Sequence, residues 1–393
     1  EHEHTAHRHA LAFLQLAEEL SVAYDTEADF AWTGRMRPEL NNWRAALEWS
    51  LATRHNISLG QRLVGELSVV WSVVSAAEAR RWTSLALGLE EGTASLTLAK
   101  IYYLDAIIAG KFDENERQLA CGAKALVLYR DLGDEYMIAL SQAQSCRALV
   151  RLGRSEEAQP MVCEAVARMR RLGAGKRLGY VLRIMAMVYS FNGDFAAARS
   201  YIAEAIAIYE DIGALQRSAA AAGTDLAEVE LNAGNPELAL RLALDALPTL
   251  RAFDEVTEIA DALNTISACF ISLARYAEAA VHARESLSLS RERYSSAHAT
   301  RAMHRLAAIA ALRPQGDREG SRAYASAARH FGFVNARFAN LGSLRQLMDQ
   351  REYERALAVL RDAMDLAELA SLMKAGAAMS EEQAIDEALA GSI

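Results

Sequence analysis

Apolar residues through the middle of the chain recur at spacings of three and four. Ile202, Ala205, Ile206 and Tyr209 are one such run, the pattern of a helix with one buried face. Turn signals cut these runs at regular intervals. Tyr129-Arg130-Asp131-Leu132-Gly133, Met169-Arg170-Arg171-Leu172-Gly173 and Tyr209-Glu210-Asp211-Ile212-Gly213 end alike, with their glycines 40 residues apart. A second series interleaves: Leu152-Gly153-Arg154, Asn192-Gly193-Asp194, Ala233-Gly234-Asn235 and Leu273-Ala274-Arg275, at steps of 40, 41 and 40. Gly110-Lys111-Phe112 is taken to extend it backwards. Two markers per period predict two helices per period, each ended by a residue that accepts the left-handed conformation.

Local chemistry agrees. Asn235-Pro236 reads as an N-cap followed by proline in the first turn, and Ser155 with Glu156 and Glu157 as another helix start. The second helix of each predicted pair carries small residues seven apart: Ala158 and Ala165, Ala198 and Ala205, Ala239 and Ala246, Ala279 and Ser286. Seven residues make two turns, so both face the same way and let the partner helix come close. Ser380 and Gln383 form a capping box.

A turn glycine, an aromatic or small residue two on, then alanine and another small residue seven later resembles the tetratricopeptide repeat. Phe195-Ala198-Ala205 and Tyr276-Ala279-Ser286 fit it best. The period of about 40 rather than 34 resembles the repeats of large bacterial signal-transduction ATPases (the STAND class) that regulate transcription. The flanks carry the same resemblance. Arg8-His9-Ala10, Phe13-Leu14 and Leu16-Ala17-Glu18 precede Glu39-Leu40-Asn41-Asn42-Trp43-Arg44-Ala45-Ala46-Leu47-Glu48-Trp49, which looks like the segment after the ATPase core, with Asn41 in place of an acid. Ala327-Ala328-Arg329, Tyr353-Glu354-Arg355-Ala356-Leu357 and Met379-Ser380-Glu381-Glu382-Gln383-Ala384-Ile385 resemble the family's closing helices.

The expected fold is therefore all-α, a right-handed superhelical solenoid of about six antiparallel helix pairs. Residues 1–95 are expected to form an N-terminal helical adaptor, 96–312 the repeat array, and 313–393 a C-terminal cap. The last boundary falls at Arg313-Pro314-Gln315-Gly316-Asp317.

Composition fits. The 393 residues are 52% hydrophobic, with 22 Gly and only 5 Pro, too few for a sandwich or barrel. Lys and Arg number 42 against 51 Asp and Glu, a formal net charge of −9, which argues against holding nucleic acid through phosphates. Cys121, Cys146, Cys163 and Cys269 lack metal-finger spacing and read as buried thiols of a cytoplasmic protein; Cys146 and Cys163 are placed to face each other across one hairpin. Leu63 to Ala79 is the most apolar stretch, interrupted by Glu66 and serines, and reads as a core helix rather than a membrane span. The chain opens Glu1-His2-Glu3-His4 without methionine and is expected to be a piece of a longer protein.

Candidate chemistry is sparse. His2, His4, His7 and His9 suggest a metal cluster but read better as a solvated terminus. The nearest approach to a phosphate loop is Gly173-Ala174-Gly175-Lys176-Arg177; Arg170 and Arg177 replace its first glycine and its hydroxyl, so it reads as a helix-ending turn. Trp32, Trp43, Trp49, Trp71 and Trp82 read as a packed first hairpin that docks on an ATPase domain. No catalytic motif appears, and neither an enzyme nor a bound metal or cofactor is expected in this chain. The resemblance places ATP, and a DNA-binding domain, only in upstream parts.

The same resemblance implies a ligand groove lined by the first helix of each pair. Counting back from the turn glycines in the family's manner gives Arg147 and Arg151, then Tyr180, Arg183 and Met187, then Thr224, Glu228 and Asn232, then Asp261 and Asn264. Arg147, Arg151 and Arg183 suit an anion if they converge. The expected function is a non-catalytic sensor and interaction domain of a bacterial transcription regulator, with a protein, peptide or small-molecule effector and its own ATPase domain as partners. Neither nucleic acid nor membrane is an expected partner. The alternative is a scaffold that assembles proteins without sensing.

Overall fold

The computed structural model describes residues 2–89, 92–173, 175–211, 216–292, 296–314 and 317–390. Helix makes up 87% of it, and no strand occurs among the described residues. The fold is all-α and tetratricopeptide-like.

Six helices open the chain: α1 (His2–Ala23), α2 (Asp29–Met36), α3 (Leu40–Leu47), α4 (Ile57–Glu66), α5 (Ser68–Val74) and α6 (Ala76–Leu87). The apolar stretch from Leu63 to Ala79 is thus no single core helix. It is divided among α4, α5 and α6, with Leu67 and Ser75 at the breaks.

Then come pairs: α7 (Ser95–Lys111) with α8 (Asn115–Leu132), α9 (Glu135–Arg151) with α10 (Ser155–Leu172), and α11 (Gly175–Phe191) with α12 (Phe195–Asp211). They continue as α13 (Gln216–Asn232) with α14 (Pro236–Ala252), α15 (Val256–Ser272) with α16 (Tyr276–Glu292), and α17 (Ser296–Leu312) with α18 (Asp317–Asn340). The chain closes with α19 (Leu347–Ala363), α20 (Leu366–Ala377) and α21 (Glu381–Ala390).

The first helix of a pair is buried almost all round, as in α15, where Ile259, Ala260 and every residue from Ala262 to Ile271 are buried. The second is amphipathic: α10 buries Ala158, Val162, Ala165, Val166 and Met169 on one face, and its other residues are half-buried or exposed. The small residues seven apart all lie on that buried face, from Ala158 and Ala165 to Ala279 and Ser286. Ser267 Oγ donates to Ala279 O (2.9 Å) and Ser286 Oγ to Ala260 O (3.3 Å), tying α15 to α16.

The turns share one geometry. At Gly193 the N–H bonds Ser190 O (3.1 Å) and that of Asp194 bonds Tyr189 O (2.9 Å), the Schellman pattern. Gly133, Gly153, Gly173, Gly193 and Gly234 all have positive φ. Asp113 (φ 57°), Asp254 (φ 56°) and Ala274 (φ 56°) take the same conformation without being glycine. Gly110 is therefore not the turn marker. It lies inside α7, where an added Cβ would meet the Gln118 amide, and Asp113 closes the helix instead. The marker at Gly213 and the Gln315-Gly316 turn lie outside the described residues. Pro236 opens α14, but Asn235 makes no side-chain cap; its Nδ2 donates to Glu230 Oε2 (2.7 Å). The Ser380–Gln383 capping box forms reciprocally (3.0 and 3.2 Å).

Two compact units result. One comprises Glu1–Val150, Arg154–Val188 and Ala203–Ala219; the other Arg151–Gly153, Tyr189–Ile202 and Ala220–Ile393. The first holds a core around Trp32, Trp43, Trp71 and Trp82; the second one around Leu263, Ile266, Met303, Leu306 and Phe331. In the second unit α18 and α20 cross at Gly332 and Gly376, each too close to the other helix's backbone for a Cβ.

Candidate functional site

In the second unit the first helices of successive pairs present polar side chains on the face left free by their partners. Spacing decides which ones. Thr224, Glu228 and Asn232 are four apart on α13, Asp261 and Asn264 three apart on α15, and Arg301 and Arg305 four apart on α17. The segment leading into α19, and α19 itself, reach the same elements. Leu344 N donates to Arg151 O (2.9 Å) and Arg351 Nη1 to Asn232 O (3.1 Å).

An ion network joins these elements. Arg305, 2% exposed, donates to Asp349, to Glu352 Oε2 (2.6 Å) and to Asn264 O (3.4 Å). Arg301 donates to Asp261 Oδ1 (2.8 Å) and Gln346 Oε1 (3.0 Å), and lies 3.8 Å from both Glu228 and Asp349. His298 Nε2 is 3.2 Å from Asp261 Oδ1. Burial alone would raise every carboxyl here, but Arg305 and Arg301 outweigh it at Asp349 and hold that group down at about 2. At Asp261 burial is likewise overcome, by His298, Arg301 and Arg151, and the carboxyl stays below its ordinary value.

The two glutamates behave oppositely. Burial pushes Glu352 up to about 7, with Asp349 adding to it against Arg305. Burial also pushes Glu228 up to about 7; Arg301 opposes, and Asp261, Asp225 and Asp349 add. His304, 3.7 Å from Glu352, is pushed down to about 3 by burial and stays neutral.

The residues singled out from sequence divide between the units. Arg151, Thr224, Glu228, Asn232, Asp261 and Asn264 belong to the second, where Arg151, Glu228 and Asp261 act on one network. Arg147, Tyr180, Arg183 and Met187 belong to the first, half-buried on α9 and α11. There Gln118 Nε2 donates to Gln144 Oε1 (3.1 Å), and Gln144 Nε2 to Tyr180 OH (2.8 Å). Arg301 and Arg305 escaped notice because α17 lies beyond the last turn marker.

A second missed constellation lies in the first unit. Lys176 Nζ, buried, sits 2.8 Å from Asp29 Oδ1 and 3.0 Å from Tyr24 O. Arg177 Nε donates to Asp25 Oδ1 (2.8 Å), which also accepts from the Tyr136 hydroxyl through its second oxygen. Arg217 donates to Tyr24 OH (2.8 Å), and Ser218 N to Asp29 Oδ2 (3.4 Å) in the first turn of α13. The Tyr24 ring centroid lies 3.9 Å from Lys176 Nζ, 4.6 Å from Arg177 and 6.0 Å from Arg217. Burial would raise the Tyr24 phenol, but Arg217, Lys176 and Arg177 outweigh it and lower its pKa. The glycine string before Lys176 is a helix end, with Gly173 (φ 62°) closing α10; Ala174 lies outside the described residues.

The remaining candidates, the N-terminal histidines and the tryptophans, lie in the first unit. His4, His7 and His9 lie within α1 rather than on a loose terminus; the His7 ring meets Trp49 edge-on at 5.8 Å. No group of three or more His, Cys, Asp or Glu is placed to hold a metal among the described residues. Trp43 is buried and donates to Phe13 O (3.0 Å), and Trp32 to Leu20 O (2.9 Å). Arg44 holds Glu78 bidentately (2.8 and 2.6 Å) at an open cleft of about 400 Å³. No described helix is long and apolar enough to cross a membrane.

No protein-family model matches the chain, and no curated protein matches it in sequence. Solved structures do. A Rap protein complexed with competence and sporulation factor has a TM-score of 0.60 at 13% identity, over 92% of this chain and 99% of that one. NprR in complex with its cognate peptide NprX has a TM-score of 0.52 at 13% identity, over 83% of this chain and 99% of that one. At such identities the likeness concerns the fold.

Proposed function

We propose that this chain is a non-catalytic peptide- or protein-binding domain that regulates a larger bacterial protein. The observation that carries the reading is the polar face of α13, α15 and α17. Arg301 pairs with its carboxylates, yet Glu228 and Asp261 keep about a third of their side-chain surface open (29% and 33%). Such a face can hold a ligand through charge-assisted hydrogen bonds. Support also comes from the two neighbours in fold, which are a Rap protein complexed with competence and sporulation factor and NprR complexed with a cognate peptide.

The resemblance of the flanks to signal-transduction ATPases suggests what is regulated: an ATPase and DNA-binding part upstream. Ligand binding shifts such an assembly only if the ligand prefers one docked state over the other. The test is a reporter assay with the full-length regulator. Deleting residues 216–312 is expected to abolish the response to its inducer, and that inducer is expected to raise the Tm of the isolated chain. An unchanged response after the deletion would overturn the proposal.

A further inference from the structure

We propose that Glu228 and Asp261, on either side of the Arg301 guanidinium, receive a cationic side chain of a peptide partner, a guanidinium or an ammonium group. This rests on the peptide-binding reading above and adds the charge of what is bound. It concerns different residues from the arginines that the sequence offered for an anion.

Open acceptors stand here without donors of their own. Among the described residues Glu228 has no hydrogen-bond donor, and its ionic neighbour, Arg301, stands 3.8 Å away. Each of the two carboxylates is followed, one turn along its own helix, by an asparagine with an unsatisfied oxygen. Asn232 comes four residues after Glu228 and is 6% exposed; Asn264 comes three after Asp261 and is 0% exposed; the Oδ1 of each is buried without a donor. Two carboxylates and two amide oxygens thus lie on these two helices, whereas Arg301 gives Nη1 to Asp261 and Nη2 to Gln346, and its Nε, itself without a hydrogen bond, lies 3.8 Å from Asp349 rather than at Glu228. A ligand group that brings donors alone suits the open Glu228 and Asp261 carboxylates: guanidinium has five N–H and ammonium three. A carboxylate or phosphate would add acceptors where none is needed.

Charge points the same way. Burial first, and then Asp261 on α15, Asp225 on α13 and Asp349 on α19, push the Glu228 carboxyl up to about 7 against Arg301 of α17. An arriving cation would displace the proton, so binding should weaken in acid.

The experiment uses the full chain and the peptides acetyl-Ala-Ala-X-Ala-Ala-amide, with X = Arg, Lys, Ala or Glu, followed by calorimetry at pH 6 and pH 8. At pH 8 the Arg or Lys peptide is expected to bind roughly ten-fold or more tighter than the Ala peptide, the worth of one charge-assisted hydrogen bond. Glu228→Gln, which breaks no hydrogen bond, should remove most of that advantage, and pH 6 should reduce it several-fold in the parent but not in the variant. Equal binding of the Arg, Lys and Ala peptides, tightest binding of the Glu peptide, or an advantage that survives Glu228→Gln would each overturn the proposal. Spermidine binding as tightly as the Arg peptide, with the same Glu228 dependence, would keep the cation site but overturn a peptide as its source. If no cationic preference is found while the inducer still raises the Tm, the charge assignment alone fails; if neither effect occurs, the peptide-binding reading fails with it.

Discussion

Lys176 Nζ lies 2.8 Å from Asp29 Oδ1, although 147 residues of chain separate them, and their side chains are 3% and 1% exposed. A buried pair of this kind contributes little net stability over an apolar pair, but losing one partner strands the other. Asp29→Ala is expected to cost about 3–5 kcal/mol, read from the urea midpoint, because the buried Lys176 amine would lose its carboxylate partner. Asp29→Ala combined with Lys176→Met should recover most of the loss; if the double variant is as unstable as the single one, the pairing is not the cause.

The crossing of α18 and α20 leaves no room for a side chain. A Cβ on Gly332 would overlap the Met373 carbonyl, and one on Gly376 the Arg329 carbonyl. Since backbone rather than a flexible side chain is the obstacle, Gly332→Ala and Gly376→Ala should each cost about 3 kcal/mol or more. Gly223→Ala, where the nearest atom is 3.8 Å away, is the control and should stay near neutral by thermal denaturation.

At the end of α15 the chain places alanine where other repeats have glycine. Ala274 has φ 56°, a conformation that costs an L-residue about 1–2 kcal/mol. Ala274→Gly should therefore raise stability by about 1 kcal/mol, offset in part by the greater freedom of glycine in the unfolded chain. Gly193→Ala (φ 80°) should lower it by a similar amount. Midpoints in guanidinium chloride decide both signs.

Glu228 gives stability a pH signature. Its carboxyl sits at about 7 folded against 4.5 ordinarily, so the folded state binds more protons between those values. Stability from this group is present below about pH 4.5 and is lost as pH rises through 7. Glu228→Gln lacks that loss. Relative to the parent it should gain on the order of 1–3 kcal/mol between pH 5 and pH 8, measured as a difference in unfolding free energies.

Burial pushes the Cys121, Cys146 and Cys269 thiols up to about 12. At pH 8 they should resist iodoacetamide in the folded chain and react once it is denatured, as peptide mass spectrometry would show. Rapid labelling of the native protein at Cys146 or Cys269, both 0% exposed, would mean that their helices open readily.

Much of the architecture was legible because glycine marks left-handed helix ends and small residues mark close helix packing. Gly153, Gly193 and Gly234 turn where their spacing predicted. The inference failed where another residue takes that conformation: Asp113 and Asp254 look like surface acids in sequence. It also failed where charge is buried. Lys176, at the start of α11, resembles any solvated helix-terminal lysine until Asp29 is seen beside it. Arg305 and Glu352 have no periodic marker near them, and nothing local shows that α19 will carry Asp349 and Glu352 to α17. Periodicity reveals contacts between neighbours in sequence; long-range electrostatic pairs leave no such trace.

The docking of Tyr24, Asp25 and Asp29 onto α11 and α13 bears on how the chain can be cut. A recombinant piece beginning at Ser95 would keep Lys176, Arg177 and Arg217 while discarding the aromatic ring and both acids that hold them. Three like charges would be left crowded at freshly bared helix ends, ready to capture any anion in the buffer. Affinities measured on such a fragment would describe its wound, so reagents for ligand discovery need to retain the first thirty residues.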